Sequence, residues 1–110
     1  MSEAAPQTLA PTAAERQTAD RAALLDALLS LKTRDELDAF LNDLCTPAEM
    51  RAFAERWAVA RLLDEKSKTY REIAQAAGAS PTTVVRVARF LKEMPHQGYR
   101  LVLDRLTPKA

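Results

Sequence analysis

An all-α fold is what this sequence predicts, and three observations carry the prediction. Alanine, leucine, arginine and glutamate dominate its 110 residues, and all four are good helix formers. Only two glycines occur and no long β-branched run interrupts the chain. Apolar residues recur at spacings of three and four, the period of a helix face. With 47% hydrophobic residues there is material for one packed domain.

The elements follow in order. Residues 1–18, "MSEAAPQTLAPTAAERQT", carry no apolar period and read as a disordered tail, because they bury too little to offset the entropy of ordering. From Ala19 the pattern changes, and the domain runs over 19–107. Leu24, Leu25, Leu28, Leu29 and Leu31 form the stripe of a first amphipathic helix. Thr33 and Glu36 have capping-box spacing, and Leu37, Phe40, Leu41 and Leu44 carry a second helix to Cys45. In "TPAE", Thr46 can cap, Pro47 suits the first helical position and Glu49 falls three residues after the cap. Met50, Phe53, Trp57, Ala60 and Leu63 extend that third helix to about Asp64, with its large side chains expected in the core. "EKSK" is a polar connection. Near the end, Tyr99, Val102, Leu103 and Leu106 mark a last short helix before Pro108.

Between these lies "TYREIAQAAGASPTTVVRVARFLK", Thr69 to Lys92. Ile73 and Ala77 share a face, and Gly78 sits where helices end in a left-handed residue that glycine adopts without strain. Ser80 can cap the next helix, Pro81 suits its first turn, and Val84, Val87, Ala88 and Leu91 give it an inward face. Two helices joined this tightly form a helix-turn-helix, about 69–92, with small Ala74 allowing the close crossing. A packing hairpin, or one that binds protein, shares part of this pattern.

Charge separates the readings. The net charge is +1, but residues 1–65 hold seven Lys or Arg against twelve Asp or Glu, while 66–92 hold six cations against Glu72 alone. A solvated face is the plain alternative; meeting a polyanion is the sharper one. On a DNA-binding reading, Ser80, Pro81, Thr82, Thr83, Val85, Arg86 and Arg89 face the major groove. Lys66, Lys68, Tyr70, Arg71 and Lys92 lie at helix ends or flanks, where such groups meet phosphates.

Other classes fit less well. No stretch has the roughly 18 apolar residues a membrane span needs, and the first residues lack the pattern of a secretory signal, so a cytoplasmic protein is expected. Cys45 has no partner for an internal disulfide, and His96 has none with metal-ligand spacing, so neither a metal nor a cofactor is expected. No Ser, His and acid set or phosphate-cradling glycine loop points to an enzyme.

From about Leu24 to Leu106 the chain resembles the Trp repressor superfamily, in particular its YerC/YecD branch. The resemblance is most specific in "TPAEMRAFAERWAVARLL", in "YREIAQAAGASPTTVVRVARFLK" and at Pro95, with matching spacing throughout. It implies six helices per chain interlocked with a second copy as an intertwined homodimer, the helix-turn-helix units at its two ends. It further implies a transcriptional regulator binding double-stranded DNA at a pseudo-palindromic operator; a non-catalytic protein-interaction module is the alternative. Arg56 and Arg86 match the two arginines that flank the family's tryptophan corepressor. However, Val87 and Phe90 replace the glycine and serine that leave room for the indole, so no response to tryptophan is expected. Arg71 and Thr83 match residue by residue. Ala74 stands in place of a lysine, and Ser80, Pro81 and Thr82 replace small or apolar residues, so the operator should differ.

Overall fold

A computed structural model of the chain describes residues 9–107. Among them are six helices and no strand: α1 (Ala13–Leu29), α2 (Arg34–Leu44), α3 (Pro47–Glu65), α4 (Tyr70–Ala77), α5 (Pro81–Lys92) and α6 (Gly98–Leu106). They fall into two compact units, divided between Asp43 and Leu44.

In the first unit, α1 begins at Ala13 and not at Ala19, so residues 13–18 are helical and the expected tail is shorter than its sequence suggested. The cause is a capping box. Thr12 Oγ1 accepts the Glu15 N–H at 3.0 Å, and the Glu15 carboxylate accepts the Thr12 N–H at 2.7 Å. An alanine-rich helix needs no apolar stripe once its first turn is satisfied. Residues 1–8 of that expected tail lie outside the described residues. At the other end, the Ser30 N–H bonds back to Asp26 and Ala27, which closes α1 before Leu31. Thr33 caps α2 at 3.1 Å, but Glu36 reaches the Lys32 N–H at 2.8 Å in place of the Thr33 N–H. Neither helix buries a residue, and Leu25 and Leu29 stand 51% and 83% exposed.

The second unit has a closed core. Thr46 and Glu49 form the expected box at the start of α3, at 3.1 and 2.8 Å, with Pro47 in the first turn. The backbone and hydroxyl bonds from Thr46 hold the Glu49 carboxyl below the ordinary carboxylate range. Val59 and Ala60 of α3, Ile73 and Ala74 of α4, and Val84 and Val87 of α5 make up the core. Burying a side chain such as Ile73 or Val84 contributes about 1.5–3 kcal/mol. Half-buried Trp57 packs on this cluster and stacks on Tyr99, ring centroids 6.5 Å apart. Phe53 departs from its expected core role: it lies on the same face as Ala60, two turns nearer the helix start, yet is 48% exposed, with a guanidinium and no core cluster against its ring. An ion pair from Asp64 to Arg100, 2.6 Å, ties α6 to α3. Its partly exposed setting limits it to under about 1 kcal/mol.

Candidate nucleic-acid interface

Three local devices build the hairpin of α4 and α5. Thr69 and Glu72 form a capping box at 3.2 and 2.8 Å that starts α4. It also draws Glu72, the one carboxylate among the cations of 66–92, back onto the backbone. Gly78, at φ 65°, ends the helix: its N–H bonds to the Gln75 carbonyl at 3.3 Å and the Ala79 N–H to the Ala74 carbonyl at 3.0 Å. This is the Schellman arrangement, and it turns the chain sharply. A methyl at Gly78 would meet nothing within 4 Å, so the left-handed backbone, and not space, favours glycine there. Ser80 then caps α5, its Oγ accepting the Thr83 N–H at 3.1 Å, with Pro81 in the first turn.

Around this corner the residues singled out in the sequence come together in the expected halves. Ile73, Ala74, Val84, Val87 and Ala88 are buried beneath it. Ser80, Pro81, Thr82, Val85, Arg86 and Arg89 are exposed, Val85 to 58%, and Thr83 is half-buried. Ser80 and Thr83 are partly committed to each other, their hydroxyls 3.1 Å apart. The Arg86 guanidinium lies 4.5 Å over the Phe90 ring. Lys92 Nζ stands 3.4 Å from the Tyr70 hydroxyl and 5.8 Å from the ring centre, which fixes a lysine and a phenol as one unit at the open end of the hairpin. Lys66, Lys68 and Arg71 are exposed beside it.

Both ion pairs among the described residues belong to Arg100. Lys66, Lys68, Arg71, Arg86, Arg89 and Lys92 therefore form none with a described carboxylate. Lys66 adds a sharper observation. It ends α3 in the left-handed conformation, φ 59°, where glycine would be less strained by about 1 kcal/mol. The lysine there places a cation at the cost of backbone strain.

One exposed residue escaped the sequence reading. Gln75 lies one turn beyond Arg71 on α4, and the two share the rim of an apolar hollow with Ala74, Ala79, Pro81 and Val85. Their i, i+4 spacing was the available signal. Arg56, the other arginine of interest, lies 5.8 Å over the Phe53 ring. Val87 is fully buried in the core and Phe90 is half-buried beneath Arg86.

Six helices among the described residues, two of them joined as a helix-turn-helix with a cationic outer face, define an all-α protein of the helix-turn-helix class. Residues 19–107 match the family described as Trp repressor protein. The chain is 41% identical over 83 residues to the protein YerC of Bacillus subtilis (strain 168), covering 76% of this chain and 78% of that one. It is also similar to the crystal structure of a TrpR-like protein from Eubacterium eligens ATCC 27750, at 40% identity and TM-score 0.73, over 82% of this chain and 89% of that one. A Trp repressor-like protein from Staphylococcus aureus aligns at 34% identity and TM-score 0.77, over 91% and 99%. The chain belongs to the Trp repressor family, in its YerC branch.

Proposed function

We propose that the protein is a sequence-specific DNA-binding transcriptional regulator of the bacterial cytoplasm, acting as a homodimer. The carrying observation is the capped corner at Gly78, which presents α5 outward among six cations that have no ion-pair partner among the described residues. An unneutralised cluster of this kind suits a phosphate backbone, whose counterions it releases on binding. In this reading Arg89, Arg86, Val85, Thr82, Thr83, Ser80 and Pro81 face base edges in the major groove, and Lys66, Lys68, Tyr70, Arg71 and Lys92 meet phosphates. The uncovered leucines of α1 and α2 support a second copy as partner, because an 11-residue helix with no buried residue is marginal on its own. Two recognition helices then read half-sites about 34 Å apart on a pseudo-palindrome.

Selection of genomic fragments by the purified protein tests this. A recurrent inverted repeat with half-sites one helical turn apart is expected, and fragments without a common element would count against it. A protein-docking hairpin, the other class, would retain no fragment at all.

Tryptophan is not the effector in this reading, because Val87 and Phe90 occupy the space its ring would need. Differential scanning fluorimetry with millimolar L-tryptophan should leave the melting temperature unchanged; a dose-dependent rise would contradict this.

A further inference from the structure

Beside its cations, the corner between α4 and α5 carries an apolar hollow of about 500 Å³. Ala74, Ala79, Pro81 and Val85 line it, and Arg71 and Gln75 stand on its rim. The hollow follows from the turn itself, since the bond from the Ala79 N–H to the Ala74 carbonyl brings two small side chains together where longer ones would fill the space. Val85, exposed to 58%, then projects a branched apolar side chain from a face that, Pro81 apart, is polar or cationic.

We propose that this hollow takes the 5-methyl group of a thymine, so that each half-site is read for a T·A pair by the fit of that methyl against Val85, Ala79 and Pro81. The inference rests on the DNA-binding reading above and goes further by naming a base. In the major groove a thymine methyl is the one apolar group that a base pair presents; cytosine carries only hydrogen there. Gln75 on the rim has the amide that can pair with both N6 and N7 of adenine, the partner of that thymine. The hollow has room for a methyl group and more. No carboxylate lines the hollow, and the surrounding cations favour a polyanion over an apolar peptide.

The test is a uracil scan. In a duplex carrying the selected operator, each thymine is replaced in turn by uracil, which removes the methyl and leaves Watson–Crick pairing unchanged, and the dissociation constant is measured by fluorescence anisotropy. At one thymine per half-site the loss of a buried methyl should weaken binding about fourfold, and about sixteenfold when both half-sites are changed. The scan is repeated with Val85→Ser, a change at an exposed position whose fold is checked by its melting temperature. This variant should bind the thymine and uracil duplexes equally and keep the salt dependence of the parent protein. An operator that binds tightly with every uracil substitution silent overturns the methyl pocket while leaving DNA binding intact. A thymine preference that survives Val85→Ser overturns it as well. If no duplex binds, the regulator reading and this inference fall together.

Discussion

Four helices between Pro47 and Leu106 enclose Val59, Ile73, Val84 and Val87 almost completely, whereas α1 and α2 bury no residue at all. Composition does not explain the contrast, because α1 and α2 are richer in leucine than the four helices that follow. The difference lies in partners. Helices α3, α4 and α5 each present an apolar face to the other two, and the corner at Gly78 folds the last two back so that the faces meet. The leucines of the first two helices find no such cover within their unit. The comparison teaches that this chain separates a unit with a closed core of its own from one whose helices bury no residue, the surface that the proposed homodimer would cover.

The most severe way to probe the self-sufficient half is Ile73→Ala. It removes a fully buried side chain from the centre of three helices and should cost about 3–4 kcal/mol in urea unfolding. A loss below about 1 kcal/mol would mean that the core is not closed. The other unit answers to a different measurement. Replacing Leu25 and Leu29 together by lysine should weaken self-association by about 2–3 kcal/mol, or roughly a hundredfold, in sedimentation equilibrium. Unchanged association would break the comparison, because those leucines would then be simple surface residues.

Two positively curved helix ends sharpen it further. Gly78→Ala and Lys66→Gly exchange residues at the same left-handed conformation, φ 65° and 59°. The first should cost about 1 kcal/mol, through backbone strain alone, since the added methyl has room. The second should gain up to about 0.5 kcal/mol in thermal melts, net of glycine's larger entropy loss, while weakening DNA binding and reducing the salt slope by about one. Stability and affinity moving in opposite directions would show that Lys66 is kept for its charge. A variant that is less stable would remove the strain argument.

The smallest effect is a pH dependence. Glu49 is bonded to Thr46 as a carboxylate, and its pKa is lowered on folding. Such a group favours the native state at neutral pH, and its contribution fades as pH falls through the ordinary carboxylate range to the lowered folded value. Glu49→Gln, which keeps one acceptor but cannot titrate, should flatten the fall of melting temperature over that acidic range. Parallel curves for the two proteins would assign the acid sensitivity to other carboxylates.

Much of the fold was legible because its punctuation is chemical. Thr46, Pro47 and Glu49 announce α3, and Gly78, Ser80 and Pro81 announce the corner, each through a local bond that needs no tertiary context. The start of α1 was missed although Thr12 and Glu15 carry the same signature, because alanine gives helix without a stripe. Lys66 could not be read as a left-handed helix end, since nothing in a lysine marks it for that backbone. Phe53 looked like core because its spacing is right, and spacing does not say where a unit's cover stops. Within the candidate site the outward and inward faces of α5 followed from period alone. Gln75 did not, because the hollow it borders exists only once Ala79 returns to Ala74.

Binding of the selected duplex across about 50 to 200 mM salt tests the central claim most directly. If the corner at Gly78 presents α5 and its cations to DNA, the affinity should fall steeply and log-linearly with salt, and Lys66→Ala with Lys68→Ala should make that line shallower by about two. A flat line, or a slope that the two lysines do not change, would contradict the account.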